Sequence, residues 1–168
     1  MSWLLAWLLG HGPLADQLER RHGLPAAVAR EHVAAARLAA GGGVSAELLL
    51  AVADVESRYH PDSVSRVHRG RRVTGRWQAT TPAGDGPRYC GPLQAQAGRS
   101  WERCVALRDV RRGYQAGADE LREWLRWTGD VAAALRGHGC GWRGVRGRCR
   151  GYDRRVLRRV ENFKGGES

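Results

Sequence analysis

At 168 residues with a net charge of +11, the chain has the length of one domain and can bury a single sizeable core. Lys164 is the one lysine, so arginine carries the charge, and its bidentate geometry makes a carboxylate- or phosphate-bearing polymer the expected partner. Cys90, Cys104, Cys140 and Cys149 lack the C-x-x-C spacing of a zinc site; no metal and no cofactor is predicted.

The N-terminal S-W-L-L-A-W-L-L-G is apolar, yet no basic residue precedes it and no A-x-A site follows, so it is not a clear export signal. It is far too short to span a bilayer, and no transmembrane segment is predicted. Trp3, Leu4, Trp7 and Leu8 have the spacing of an apolar cover helix. Two helices follow, one closed by Gly23 and one by 41–43, each with glycine at its stop. Residues 1–44 are read as N-terminal helices packing on the body of the domain.

Ser45 is placed to cap the next helix, A-E-L-L-L-A-V-A-D-V-E, which contains neither Gly nor Pro. Leu49, Val52 and Glu56 recur at i, i+3 and i+7, so Glu56 falls beside the buried stripe at the helix's C-terminal end. A half-desolvated carboxyl entering a Gly- and Pro-rich loop is the setting of a glycosidic general acid; the alternative is a surface glutamate at a fraying end. The segment of about 66–90 is rich in Gly, Val, Thr and Trp, which predicts a small β-hairpin. In it, Trp77 either lays its ring on a sugar or pins the hairpin to the body; Tyr89 is the second aromatic of this kind. Beyond the hairpin, Val110, Tyr114, Leu121 and Leu125 predict a helix, Asp130 caps a shorter one leading to His138, and Tyr152, Val156, Val160 and Phe163 mark the last. The tail, 161–168, is expected to fray. Proximity suggests pairing Cys90 with Cys104 and Cys140 with Cys149, among three connectivities, which implies an oxidising compartment.

Four segments carry a resemblance. E-S-R-Y-H-P-D-S-V-S-R, C-G-P-L-Q, A-L-R-G-H-G-C-G and G-Y-D-R-R-V-L are similar, in order, to the motifs of the soluble-type lytic transglycosylases, relatives of goose-type lysozyme. Together they span about 45–160. The resemblance implies a mainly α, lysozyme-like catalytic domain with a β-hairpin insertion. It makes Glu56 the single acid and base that cleaves the MurNAc-β-1,4-GlcNAc bond of peptidoglycan and leaves 1,6-anhydromuramyl ends. Ser57 then stands beside Glu56, Gly91 and Gln94 line the sugar groove, and Tyr152 is the late aromatic. The sequence departs from the pattern at His138-Gly139, where the family has Tyr-Asn; His138 is either a site residue or an ordinary helix histidine. Two-carboxylate hydrolysis needs a second acid, for which Asp62, Asp85 and Glu102 are candidates, while Asp54 faces another side of its helix. Goose-type muramidase chemistry is the first alternative, and a basic module that binds wall polymer or nucleic acid without cutting is the second. Peptidoglycan strands are the expected partner, without specific nucleic acid, for a monomer acting in the cell envelope or outside the cell, exported or carried by a phage.

Overall fold

The computed structural model describes residues 12–66, 88–148 and 151–165. The apolar segment at 2–10, Trp77 with Asp85 and most of the hairpin segment, Cys149 and the end of the tail lie outside them. The helices are α1 (Pro13–His22), α2 (Ala26–Ala39), α3 (Ala46–Glu56), α4 (Trp101–Ala106), α5 (Val110–Thr128), α6 (Val131–Arg143) and α7 (Tyr152–Lys164). The strands are β1 (Val64–Arg66), β2 (Arg88–Cys90) and β3 (Ala95–Gly98), and a π-helical turn, Gly144–Arg148, follows α6. The chain is thus mainly α with a small antiparallel sheet, as its sequence predicts.

Helix α3 begins where Ser45 Oγ accepts a hydrogen bond from the Leu48 amide at 3.2 Å. Residues 48–53 are then buried without interruption. A helix apolar on every side belongs inside a protein, and α3 is enclosed by α2 and α7 and touches α5. The predicted stripe is therefore an underestimate: the middle of α3 has no solvent face. Burying each leucine or valine there contributes roughly 1.5–3 kcal/mol.

The end of α3 is equally determined. Arg58 (φ 52°) and Tyr59 (φ 65°) follow Ser57 in the left-handed region, which costs about 1 kcal/mol or more for each non-glycine residue. Tyr59 offsets this cost. Its ring is buried against His22 and His32, and its hydroxyl donates to the Leu50 carbonyl at 3.0 Å. The aromatic of E-S-R-Y thus pins the reversal that makes Glu56 the last helical residue. One turn back, Asp54 points toward α1 and α7, where it pairs with Arg159 and lies 3.8 Å from His22; it faces away from Glu56, as its position in the helix predicts.

The main core joins α1, α2, α3, α5, α6 and α7 around Tyr59, Leu93, Tyr114 and Leu135. His32 is a buried polar residue among these helices, with Nδ1 3.1 Å from the Tyr114 hydroxyl, and burial lowers its pKa to about 4. Asp153 on α7 accepts from Arg136 on α6 at 2.5 Å, fastening the last two helices together.

The sheet runs β1-β2-β3, with Val64 opposite Cys90 and Cys90 opposite Ala95. Strands β1 and β2 are the two ends of the predicted hairpin segment. Strand β3 and helix α4 are not predicted: A-Q-A-G is poor in strand formers, and α4 is six residues long. A disulfide joins Cys90 on β2 to Cys104 on α4, the pairing that proximity suggests. Cys140 is also disulfide-bonded; its predicted partner, Cys149, lies outside the described residues.

Candidate functional site

The C-G-P-L-Q turn lies between the end of α3 and the face of α5. Ser57 Oγ is 2.8 Å from the Pro92 carbonyl and 3.1 Å from the Ala53 carbonyl, so its one proton ties the helix end to the turn or to the helix itself. Gly91 has φ +80°, and a Cβ there would stand 2.0 Å from the Leu107 carbonyl oxygen; only glycine fits. Gln94 is buried, and its amide nitrogen donates to the Ser63 carbonyl at 2.8 Å and the Gly91 carbonyl at 2.9 Å. Both amide hydrogens are therefore committed to holding the turn.

Helix α5 receives this turn through two glycines that the sequence motifs do not include. A Cβ at Gly113 would lie 2.6 Å from Pro92 Cδ, and one at Gly117 would lie 2.5 Å from Leu93 Cδ2. Glycine inside a helix costs about 1 kcal/mol relative to alanine, and two of them four residues apart are a legible sign of close backbone approach.

His138 meets the same turn from α6. Its Nε2 is 3.1 Å from the Leu93 carbonyl, and its Nδ1 is 3.5 Å from Glu120 Oε2 on α5. Burial alone would lower its pKa. The neighbouring Glu120, the charge of Glu56 and the Leu93 carbonyl outweigh burial and raise it above the ordinary 6.5. Glu120 is itself anchored by the Gln96 amide, which donates to Oε1 at 2.5 Å.

Tyr152, the first residue of α7, completes the corner. Its ring lies on Gly139, where a Cβ would meet three ring carbons at 2.9 Å. Its hydroxyl is buried and closes no hydrogen bond, and it lies near enough to the half-buried Glu56 to feel its charge. Burial first, and then the carboxylate of Glu56, raise the Tyr152 pKa well above that of free tyrosine. A buried hydroxyl without a partner is costly, of order 1–3 kcal/mol, and here the nearby carboxylate is that of Glu56.

On the far side of His138 a cavity of about 330 Å³ opens between α5 and α6. Glu120, Glu123, Trp124 and Trp127 line it from α5, and His138 and Trp142 from α6. The α5 residues fall at i, i+3, i+4 and i+7, a second stripe beside the one that faces the core. Gly137 makes the close approach possible, since a Cβ there would lie 2.5 Å from the Trp124 ring. Trp142 meets Trp124 and Trp127 edge to face, at 5.1 and 6.0 Å. Tyr89 also lines this space, and burial followed by Glu120 raises its pKa.

The residues singled out from sequence thus gather unevenly. Glu56, Ser57, Gly91, Gln94, His138 and Tyr152 converge on one corner. Trp77 lies outside the described residues. Of the candidate second carboxylates, Asp62 is exposed and 3.8 Å from Arg108, and Glu102 is exposed in the first turn of α4. The carboxylate nearest to joining the corner is Glu120, which a search of α5 for its core-facing stripe alone does not find. Among the described residues, no group of three or more His, Cys, Asp or Glu is placed to hold a metal ion, and no helix is long and apolar enough to cross a membrane. Comparison of the chain with family models, curated proteins and solved structures returns no match.

Proposed function

We propose that the protein cleaves the MurNAc-β-1,4-GlcNAc bond of peptidoglycan as a lytic transglycosylase, with Glu56 as its single general acid and base. The observation that carries this reading is the Glu56–Tyr152 pair: a half-buried carboxylate at a helix end, with a buried hydroxyl near it that closes no hydrogen bond. The four segments that resemble the family's motifs also meet here. Ser57 links the first to the second, His138 links the third to the second, and Tyr152 of the fourth rests on Gly139 of the third. The family's motif tyrosine is absent at His138-Gly139, and Tyr152 supplies a hydroxyl to the glutamate in its place, with Gly139 making the room.

Protonated Glu56 donates to the glycosidic oxygen as that oxygen leaves C1. The resulting carboxylate then takes the proton of the muramyl C6 hydroxyl as O6 bonds to C1. One carboxylate serves both transfers, and no water is consumed. Muramidase hydrolysis is the second reading, favoured by Glu120, a fixed carboxylate across His138 that a two-carboxylate mechanism would use on water. The substrate locates the activity in the cell envelope or outside the cell, and the net charge of +11 suits an acidic polymer.

The test is mass spectrometry of muropeptides released from purified sacculi. Wild type is expected to release anhydromuramyl ends, and Glu56→Gln to lose about 10²–10⁴ of the rate with an unchanged thermal melt. Reducing muramyl ends would establish hydrolysis instead. Release by neither protein, with sacculus binding unaffected by the substitution, would leave a non-catalytic wall-binding module.

A further inference from the structure

Three features of the cavity across His138 set it apart from the rest of this surface. The protein has 28 Lys and Arg residues, yet none of the ten described residues that line the cavity is one of them. Two of the ten are glutamates, one helical turn apart, and Glu123 has no ion-pair partner among the described residues. Trp127 and Trp142 stand 68% and 55% exposed at its wall, although burying them elsewhere would be favourable. His138 lies beside Glu120, with Nδ1 3.5 Å from Oε2, and offsets the charge of that carboxylate when it is protonated.

Carboxylates beside tryptophan faces make a cation site. The negative face of an indole ring attracts an ammonium group, a carboxylate accepts its charge-assisted hydrogen bonds, and the flat ring covers the apolar part of whatever carries the charge. The three tryptophans meet edge to face, so the wall they present is angled rather than flat. With Glu120 matched by His138, the negative charge left over is that of Glu123; it runs against the sign of the whole molecule, so general attraction of the protein to polyanions does not account for it.

We propose that this cavity binds a primary ammonium group, with Glu123 and Glu120 as acceptors and Trp127 and Trp142 packing against its carrier. In a wall polymer that group is either the free amine of a de-N-acetylated glucosamine or a side-chain amine of the stem peptide. The site requires the cavity and not Glu56, so it stands whether or not the proposed cleavage does.

The experiment is a tryptophan-fluorescence and calorimetric titration of the full chain, in the Glu56→Gln background so that no ligand is consumed. Three probes are compared at mildly acidic pH: a glucosamine tetrasaccharide, its fully N-acetylated counterpart, and Nα-acetyl-lysine amide. The glucosamine tetramer is expected to bind about tenfold more tightly than the acetylated one. Glu123→Gln, at an exposed position, is expected to erase most of that preference without changing the melting temperature, and Trp127→Ala to weaken both sugars. Stronger binding of the lysine derivative, equally sensitive to Glu123→Gln, would support the ammonium site and assign it to the peptide. Equal affinity for both sugars, a preference untouched by Glu123→Gln, or no binding of any probe would overturn the proposal.

Discussion

Around Glu56, on one side of His138, the polar groups of the turn and its neighbours are spent on one another. Ser57 holds Pro92, Gln94 holds Ser63 and Gly91, and His138 holds Leu93. In the tryptophan cavity, on the other side, Glu123 is exposed, and Trp127 and Trp142 keep more than half their surface in solvent. The first region is closed on itself, with Glu56 at its edge; the second leaves its side chains open to solvent. A tightly fitted site and an open one make opposite demands on substitution, and glycine is where the contrast is sharpest.

Gly91 and Gly141 both have positive φ, +80° and +60°. A Cβ at Gly91 would lie 2.0 Å from a backbone oxygen, whereas one at Gly141 meets nothing within 4 Å. Gly91→Ala is therefore expected to cost about 4 kcal/mol, from backbone overlap added to the left-handed strain. Gly141 pairs its positive φ with ψ −158°, a conformation open almost only to glycine, so Gly141→Ala is expected to cost about 2–3 kcal/mol, from strain alone. Urea denaturation of the two variants measures both, and equal losses would show that the turn yields and that the corner is less rigid than its contacts imply.

His138 belongs to both regions, and its titration separates their influences. Its folded pKa lies above 6.5 because the carboxylates outweigh burial. The stabilisation it provides is then complete below pH 6.5 and is lost as pH rises through the folded pKa. Glu120→Gln removes the largest of the raising influences and leaves burial in place, so the folded pKa should fall below 6.5. The slope should then reverse, with stability falling as pH drops from 6.5 toward the new value, by at most about 1.4 kcal/mol for each tenfold loss of proton affinity. The imidazole NMR titration and the urea midpoint on either side of pH 6.5 check the sign independently.

The helices are legible in the sequence because their signals are local. Ser45 and Asp130 cap where their positions predict, each accepting a hydrogen bond from the amide three residues on, and Gly23 and Gly129 end helices in the left-handed conformation. The Cys90–Cys104 pairing is legible from proximity. The enclosure of α3 is not, because periodicity reports a stripe and cannot say how many neighbours surround it. Strand β3 is hidden because its residues are held by the turn before it and the disulfide beside it rather than by propensity. In the site, Glu56 can be singled out from its own helix, but the commitment of Gln94 to the turn depends on Ser63, 31 residues away. Glu120, Glu123 and Gly117 lie in plain view at helical spacing. They go unnoticed as long as one helix is granted only one meaningful face.

Tyr152 offers the finest distinction between a group that holds the fold and one that serves the site. Its ring is packed on Gly139 and in the main core, so Tyr152→Phe keeps nearly all the buried area. The hydroxyl it removes is buried and unbonded, and losing an unsatisfied polar atom is neutral or favourable, by about 1 kcal/mol at most. A residue that served only the fold would therefore leave sacculus turnover unchanged when it lost this oxygen. If the hydroxyl instead orients Glu56 for proton transfer, turnover should fall about tenfold or more while the melting temperature holds or rises. Its effect should also disappear in the Glu56→Gln background, where there is no transfer left to orient. Loss of stability and activity together would mean that the hydroxyl is bonded in solution and that the Glu56 corner is held from this side as well.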